Sequence, residues 1–270
     1  MNVTLSGLAL VWALCPALAD VGVSGGLVMA VAGLQNAEKT NDAPEVDPRA
    51  VVELQKMIAE LERYDKVIFK TRTTWEAIQD SGMKLQFDAE QEIGIHRPNK
   101  LYSIVLRDDG QRRRFWFNQS TLSHVNITEN KYVQLVVPAT INEMLDHVLE
   151  NFDVPAPPML DFLYSDMETS FLSELQSAWY VGESTVHGKK CHHLAFSKED
   201  VDFQIWIPTT GRPLPVKYTI TWKNEPNMPW FTAQFTEWNT APSFAKDAFS
   251  FVKPKGATKI DPPKTAKEGD

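Results

Sequence analysis

Few side chains in this sequence stand at spacings that could do chemistry, and each such group has a simpler reading. Gly22-Val23-Ser24-Gly25-Gly26 fits the G-x-S-x-G pattern of a hydrolase nucleophile elbow, a device that needs a buried strand before the serine and a helix after it. Here it lies in a small-residue stretch beside an N-terminal apolar run, so the match is read as accidental. Cys191-His192-His193 puts three metal-ligand types together. Neighbouring side chains on a strand point to opposite faces, which leaves Cys191 and His193 on one side, too few for a zinc site. Asp108-Asp109-Gly110 could be imagined as a carboxylate pair, yet Asp and Gly are what a hairpin turn selects. Asp65, Asp88, Asp161 and Asp166 occur singly, and no P-loop, dinucleotide fingerprint or H-E-x-x-H motif is present. The expectation is a protein that is not an enzyme, with no catalytic residue, no metal and no cofactor.

Arg112-Arg113-Arg114, with Arg107 and Lys100 nearby, is the one basic concentration in a chain whose 27 Lys+Arg are outnumbered by 35 Asp+Glu. A general nucleic-acid binder needs a basic surface to neutralise phosphates, so no nucleic-acid partner is expected. On alternating strands the three arginines divide between two faces, which suits a solvated sheet surface or a protected edge. The functional alternative is a rim for an anionic headgroup or an acidic partner protein. Asn118-Gln119-Ser120 and Asn126-Ile127-Thr128 match glycosylation sequons and are read as turn and strand residues.

The elements that position these residues follow an N-terminal leader. The apolar run Leu8–Leu14 and the small-residue site Ala17-Leu18-Ala19 predict a secretory signal peptide over residues 1–19. A second such site, Ala30-Val31-Ala32, would place cleavage as late as residue 32. An uncleaved N-terminal anchor is the rival, although Pro16, Asp20 and a Gly-rich stretch interrupt the span it would need. The expected location is the periplasm. Cys15 leaves with the leader, so Cys191 stands alone and no internal disulfide can form. Residues 20–46 read as a flexible linker, 47–260 as a single domain and 261–270 as a disordered tail, with fraying expected from Pro254 onward.

Asp47-Pro48 opens a helix on which Val51, Leu54, Ile58 and Leu61 recur at helical spacing. The period then changes to two. Val67, Phe69, Thr71, Thr73, Trp75 and Ala77 share one parity, as do Met83, Leu85, Phe87, Ala89, Gln91, Ile93 and Ile95. Each run spans about a dozen residues, or roughly 40 Å of strand. Turn signals at 97–100, 108–110 and 129–131 divide the following chain into Leu101–Arg107, Arg113–Phe117, Thr121–Ile127 and Tyr132–Val137, completing a six-stranded antiparallel meander. Helical spacing returns over Asn142–Asn151 and again over Met159–Tyr164 and Glu168–Leu175. Five more strands follow: Ala178–Val186, Cys191–Phe196, Val201–Ile207, Leu214–Trp222 and Trp230–Trp238.

What remains is the aromatic content, eight tryptophans, six tyrosines and fourteen phenylalanines, and its placement is regular. Phe69, Trp75, Phe87 and Ile93 lie on the inner parity of the first hairpin, and Tyr218, Ile220, Trp222, Phe231 and Phe235 on that of the last. Any one of them is accounted for by core packing. Together, on strands long enough to curl, they describe a concave apolar surface wider than a few short helices would fill, and these nine residues are the candidate ligand-binding set.

Several segments carry a resemblance: Arg97-Pro98-Asn99-Lys100-Leu101, Pro138 through Leu145, Asp161-Phe162-Leu163-Tyr164-Ser165-Asp166, Tyr180-Val181-Gly182, Cys191 through Phe196, Gln204-Ile205-Trp206-Ile207 and Pro213-Leu214-Pro215. From about Asp47 to Ile260 the chain resembles a family of predicted periplasmic proteins of unknown function, grouped with the lipoprotein carrier LolA, the receptor LolB and the stress sensor RseB. The resemblance implies a mainly β fold with α, an incomplete antiparallel β-barrel of about eleven strands covered by helices, with a hydrophobic cavity between them. It supplies no ligand and no site residue. The leading expectation is a monomeric, non-catalytic exported protein that holds a hydrophobic ligand, such as a lipid, an acyl chain or a lipoprotein's lipid moiety. The second is an envelope protein-interaction or sensing module, and a hydrolase comes third.

Overall fold

The computed structural model describes residues 46–262 apart from 80, 153 and 155. The leader, nearly all of the linker, the Gly22–Gly26 match and the tail from 263 lie outside the described residues.

Helix α1 spans Pro48–Glu62, with the Asp47 carboxylate accepting from the Arg49 N–H at 2.9 Å as its N-cap and Pro48 at the first turn. The expected meander is present as β1 (Lys66–Ile78), β2 (Lys84–His96), β3 (Lys100–Arg107), β4 (Arg112–Asn118), β5 (Thr121–Asn126) and β6 (Lys131–Val136). Next come α2 (Ile141–Asn151), a 3₁₀ turn at Leu160–Phe162 and α3 (Met167–Leu172). The second run of strands is β7 (Ser177–Val186), β8 (Lys189–Ser197), β9 (Val201–Pro208), β10 (Lys217–Trp222) and β11 (Trp230–Asn239). β10 starts later than expected because Pro213 and Pro215 have no N–H to give to a ladder.

All strands join one open sheet in the order β12-β6-β5-β4-β3-β2-β1-β11-β10-β9-β8-β7. The twelfth, β12 (Thr258–Lys259), corrects the expectation that the chain frays after Pro254. It pairs parallel to β6, Thr258 donating to the Asn130 carbonyl at 3.0 Å and Ile260 to that of Tyr132 at 2.9 Å, with Ala257 buried beneath. A two-residue strand has no period to read, so composition alone pointed the wrong way.

The sheet has an inner and an outer face. On the inner face, α1 presents Ala50, Leu54, Met57, Ile58 and Leu61, and α2 presents Ile141, Met144, Leu145 and Val148, to the inward parity of the strands. α2 starts with a capping box in which Thr140 and Glu143 satisfy each other's backbone N–H groups. On the outer face, residues 241–257 run back across the first half of the sheet. Phe244 and Phe249 pack on His96 and Tyr102, and Phe251 packs on Trp116 and Tyr132. This strap was not foreseen.

Gly94 on β2 makes room for the strap's docking residue. The Tyr102 ring lies directly over it, its hydroxyl donating to Glu92 at 2.7 Å, and a Cβ at position 94 would collide with the ring. Gly94→Ala is therefore expected to push Tyr102 off the sheet, loosen Phe244 and Phe249, and lower unfolding stability by about 1–3 kcal/mol. A denaturant midpoint equal to wild type would show that the ring has another place to go.

Candidate functional site

The inner face is the site the sequence proposed, and strand parity builds it. Trp75 stands opposite Phe87 on β2 and Phe231 on β11, Phe69 opposite Ile93, and Ile220 opposite Phe231. All nine predicted residues reach this one face and one continuous apolar core. Phe69, Trp75, Ile93, Tyr218, Ile220, Phe231 and Phe235 are buried, while Phe87 and Trp222 are partly exposed. What covers them is the helical layer. Phe162, from the 3₁₀ turn, sits 5.3 Å from Tyr218 and 5.4 Å from Phe235 between ring centroids, and 5.2 Å from Phe171 of α3.

The helical layer is fastened by polar contacts. Arg97, in the turn between β2 and β3, donates from Nη1 to the Leu163 carbonyl at 2.8 Å, and the neighbouring Pro98 carbonyl accepts from the first N–H of α2 at 2.8 Å. On the other side of Phe162, the Asp161 carboxyl accepts from the Ser170 hydroxyl at 2.6 Å. Lys198 donates to the Ser170 carbonyl at 2.7 Å. Asp161 thus ties the 3₁₀ turn to α3.

The inner face is not apolar throughout. Arg107 is 4% exposed, its guanidinium carbon 5.1 Å from the Trp75 ring centroid and 5.3 Å from that of Phe87, and its Nη2 lies 2.7 Å from Asp109. Arg113 is buried on the next strand rather than solvated, which corrects the surface reading for that member of the cluster; Arg112 and Arg114 do face water. Nearby, Gln91 donates to Ser103 at 3.1 Å. Burial, and then the Arg113 charge, push the His124 imidazole down to about 3, so it is neutral.

Cys191 and His193 share the outer face, as expected. Cys191 is buried beside Trp206 and Val216, while His193 stacks on Trp206 at 4.3 Å and its Nε2 lies 2.8 Å from the Gln204 Oε1. His192 faces the other way, with Nδ1 2.8 Å from the Tyr180 hydroxyl and Nε2 3.8 Å from Glu53. Among the described residues no group of three or more His, Cys, Asp or Glu could hold a metal ion. No helix among them is long and apolar enough to cross a membrane.

This open, helix-covered sheet agrees with a family match. Residues 50–261 fit the profile of a family described as predicted periplasmic protein (DUF2092). The chain belongs to this family. No curated protein matches it. Among solved structures, the Mycobacterium bovis protein LprF is similar at 11% identity and a TM-score of 0.46, over 76% of this chain and 100% of that one. The Mycobacterium tuberculosis lipoprotein LppX is similar at 12% identity and a TM-score of 0.42, over 73% and 98%. A LolA superfamily protein from Nitrosomonas europaea is similar at 8% identity and a TM-score of 0.34, over 75% and 97%.

Arg97 and Asp161 belong to two of the segments that carry the family resemblance, and the fold brings those segments into contact. Neither residue has a role that its spacing in the sequence reveals. The signal was available for Asp161: a lone carboxylate between Leu160 and Phe162 needs partners once its neighbours are buried.

Burial is the main influence on the Asp161 carboxyl and raises it above its ordinary value, while the Ser170 and Tyr218 hydroxyls and the Lys198 ammonium pull the other way. The folded chain therefore holds this proton more tightly than the unfolded chain. The stability it contributes is complete below the ordinary value of 3.8 and is lost as pH climbs through the raised folded value. Asp161→Asn should flatten the pH dependence of the thermal midpoint above pH 3.8, with a midpoint at neutral pH no lower than wild type. An unchanged slope would remove Asp161 as its source.

Proposed function

We propose that this protein is a non-catalytic, exported envelope protein that takes an acyl chain, or a lipid bearing one, against the inner face of its sheet. The observation that carries this reading is the make-up of the cover. Met57, Met144, Met159 and Met167, all from the helical segments, are buried in the same apolar core as Phe69 and Tyr218. Unbranched thioethers repack around new shapes at low cost. The layer is also pinned at discrete polar points, Arg97 and Asp161, and can part from the sheet without breaking a β-ladder. Burying an acyl chain contributes ~0.8 kcal/mol per CH₂, so roughly ten methylenes supply about 8 kcal/mol toward separating helices from sheet. Phe87 and Trp222, the partly exposed members of the set, mark where a chain first makes contact.

A second reading rests on β7. Its edge is open among the described residues beyond the Val46–Ala178 bridge, and its outer side exposes Trp179 and Val181, as a strand-adding envelope partner would require.

Native mass spectrometry of protein purified without detergent, followed by lipid extraction, should find a bound acyl species, and delipidated protein should take up a fluorescent fatty acid. Phe87→Asp or Trp222→Asp should cut that uptake about tenfold while leaving the circular dichroism spectrum unchanged, since a charge at the entry point costs on the order of 1–3 kcal/mol. A protein that is always empty and takes up no fatty acid would overturn the reading. A stoichiometric protein recovered from envelope extracts, and lost on Val181→Lys, would favour the second.

A further inference from the structure

One end of the sheet carries apolar side chains that folding does not require. Trp75 of β1 stands opposite Phe231 of β11, so the β1–β2 turn and the β10–β11 turn leave the sheet side by side. Each turn raises a methionine into water: Met83 is 58% exposed and Met228 is 56% exposed. Met83 follows Gly82, whose φ of +80° sets the first turn. In the second turn, Asn227 and Met228 lie in the left-handed region at φ +62° and +44°. Asn tolerates this region, whereas an L residue without a short polar side chain rarely adopts it. The chain holds Met228 in that strained conformation and gains little packing from it. An outlier of this kind points to a role for the side chain beyond packing.

Behind the two tips stand Leu85, Phe87, Trp222 and Trp230, all partly buried. The lysines nearby are already partnered, Lys84 with Glu76 at 2.8 Å and Lys223 with Asp202 at 3.3 Å. This end therefore presents apolar tips and tryptophans with no basic cluster. We propose that the two hairpin tips dock the protein on a lipid bilayer, Met83 and Met228 entering the apolar boundary while Trp222 and Trp230 lie at headgroup depth.

Two observations favour a bilayer as the occupant. Paired charges exclude an electrostatic attraction to a polyanion, which points to a neutral lipid surface. Two separate projecting tips also offer little area, whereas a stable protein partner needs about 1,000 Å² of matched surface; a fluid interface has no shape to match. The inference does not depend on the inner face holding a ligand. It does place the exposed edge of that face, at Phe87 and Trp222, toward the membrane.

The test is flotation of the natively processed protein with phosphatidylcholine vesicles. Wild type should float in low and high salt alike. The Met83→Asp, Met228→Asp double variant should lose at least tenfold in bound fraction. Met228→Gly should lose severalfold while its thermal midpoint holds or rises, because glycine relieves the left-handed strain. Failure of wild type to float, a requirement for anionic lipid, undiminished binding by the variants, or a lowered midpoint for Met228→Gly would each overturn the proposal. Uptake of fluorescent fatty acid from vesicle-free solution should be unchanged in the tip variants. A protein that floats but takes up no fatty acid loses the acyl-chain reading and keeps this one.

Discussion

An open sheet cannot bury its inward side chains against itself. A closed barrel would fill its interior from opposing strands, whereas here the edges β12 and β7 never meet, and the aromatic rows of β1, β2, β10 and β11 must find their cover elsewhere. The cover is a thin layer of helices drawn from two places in the chain, α1 ahead of the sheet and residues 141–172 between its halves. Among the described residues, neither the helices nor the inner face has another apolar partner of comparable size. Each buries its apolar side chains against the other, and the polar pins at Arg97 and Asp161 mark where they meet.

The two faces solve the burial problem differently. The inner face is packed by helices with methionines at the contact, an arrangement tolerant of rearrangement. The outer face of the first half is closed by an extended strap whose aromatic rings stack on His96, Tyr102, Trp116 and Tyr132, and this strap ends by adding a strand to the sheet's edge. One side is held by apolar packing and a few polar contacts; the other is stitched down.

Much of this was legible in the sequence. Strict alternation in Val67–Ala77 and Leu85–Ile95 named the inward residues of β1 and β2 individually, because the period of two leaves a strand no freedom in which face a residue takes. The candidate set was therefore placed on one face. Spacing could not say whether protein or ligand fills the space above that face, since the answer lies in helices far away in sequence. The buried arginines were hidden for a related reason: parity puts Arg107 and Arg113 inward, but composition reads arginine as solvated, and the ring contacts with Trp75 and Phe87 together with the Asp109 ion pair help to accommodate Arg107. Arg97 and Asp161 were recognisable as motif residues, yet the Arg97 partner lies 66 residues downstream, a contact no local pattern encodes.

The seam between β1 and β11 has a kinetic consequence. Within each half of the sheet, sequential strands pair as neighbours and can zip together locally, whereas the seam joins positions as distant as Lys70 and Thr236, 166 residues apart. Until that long loop closes, each half displays an unpaired edge and an unfilled apolar face, the features that make nascent chains stick to one another. The fate of a chain in this interval is decided by how quickly β11 finds β1 relative to how often it meets another copy.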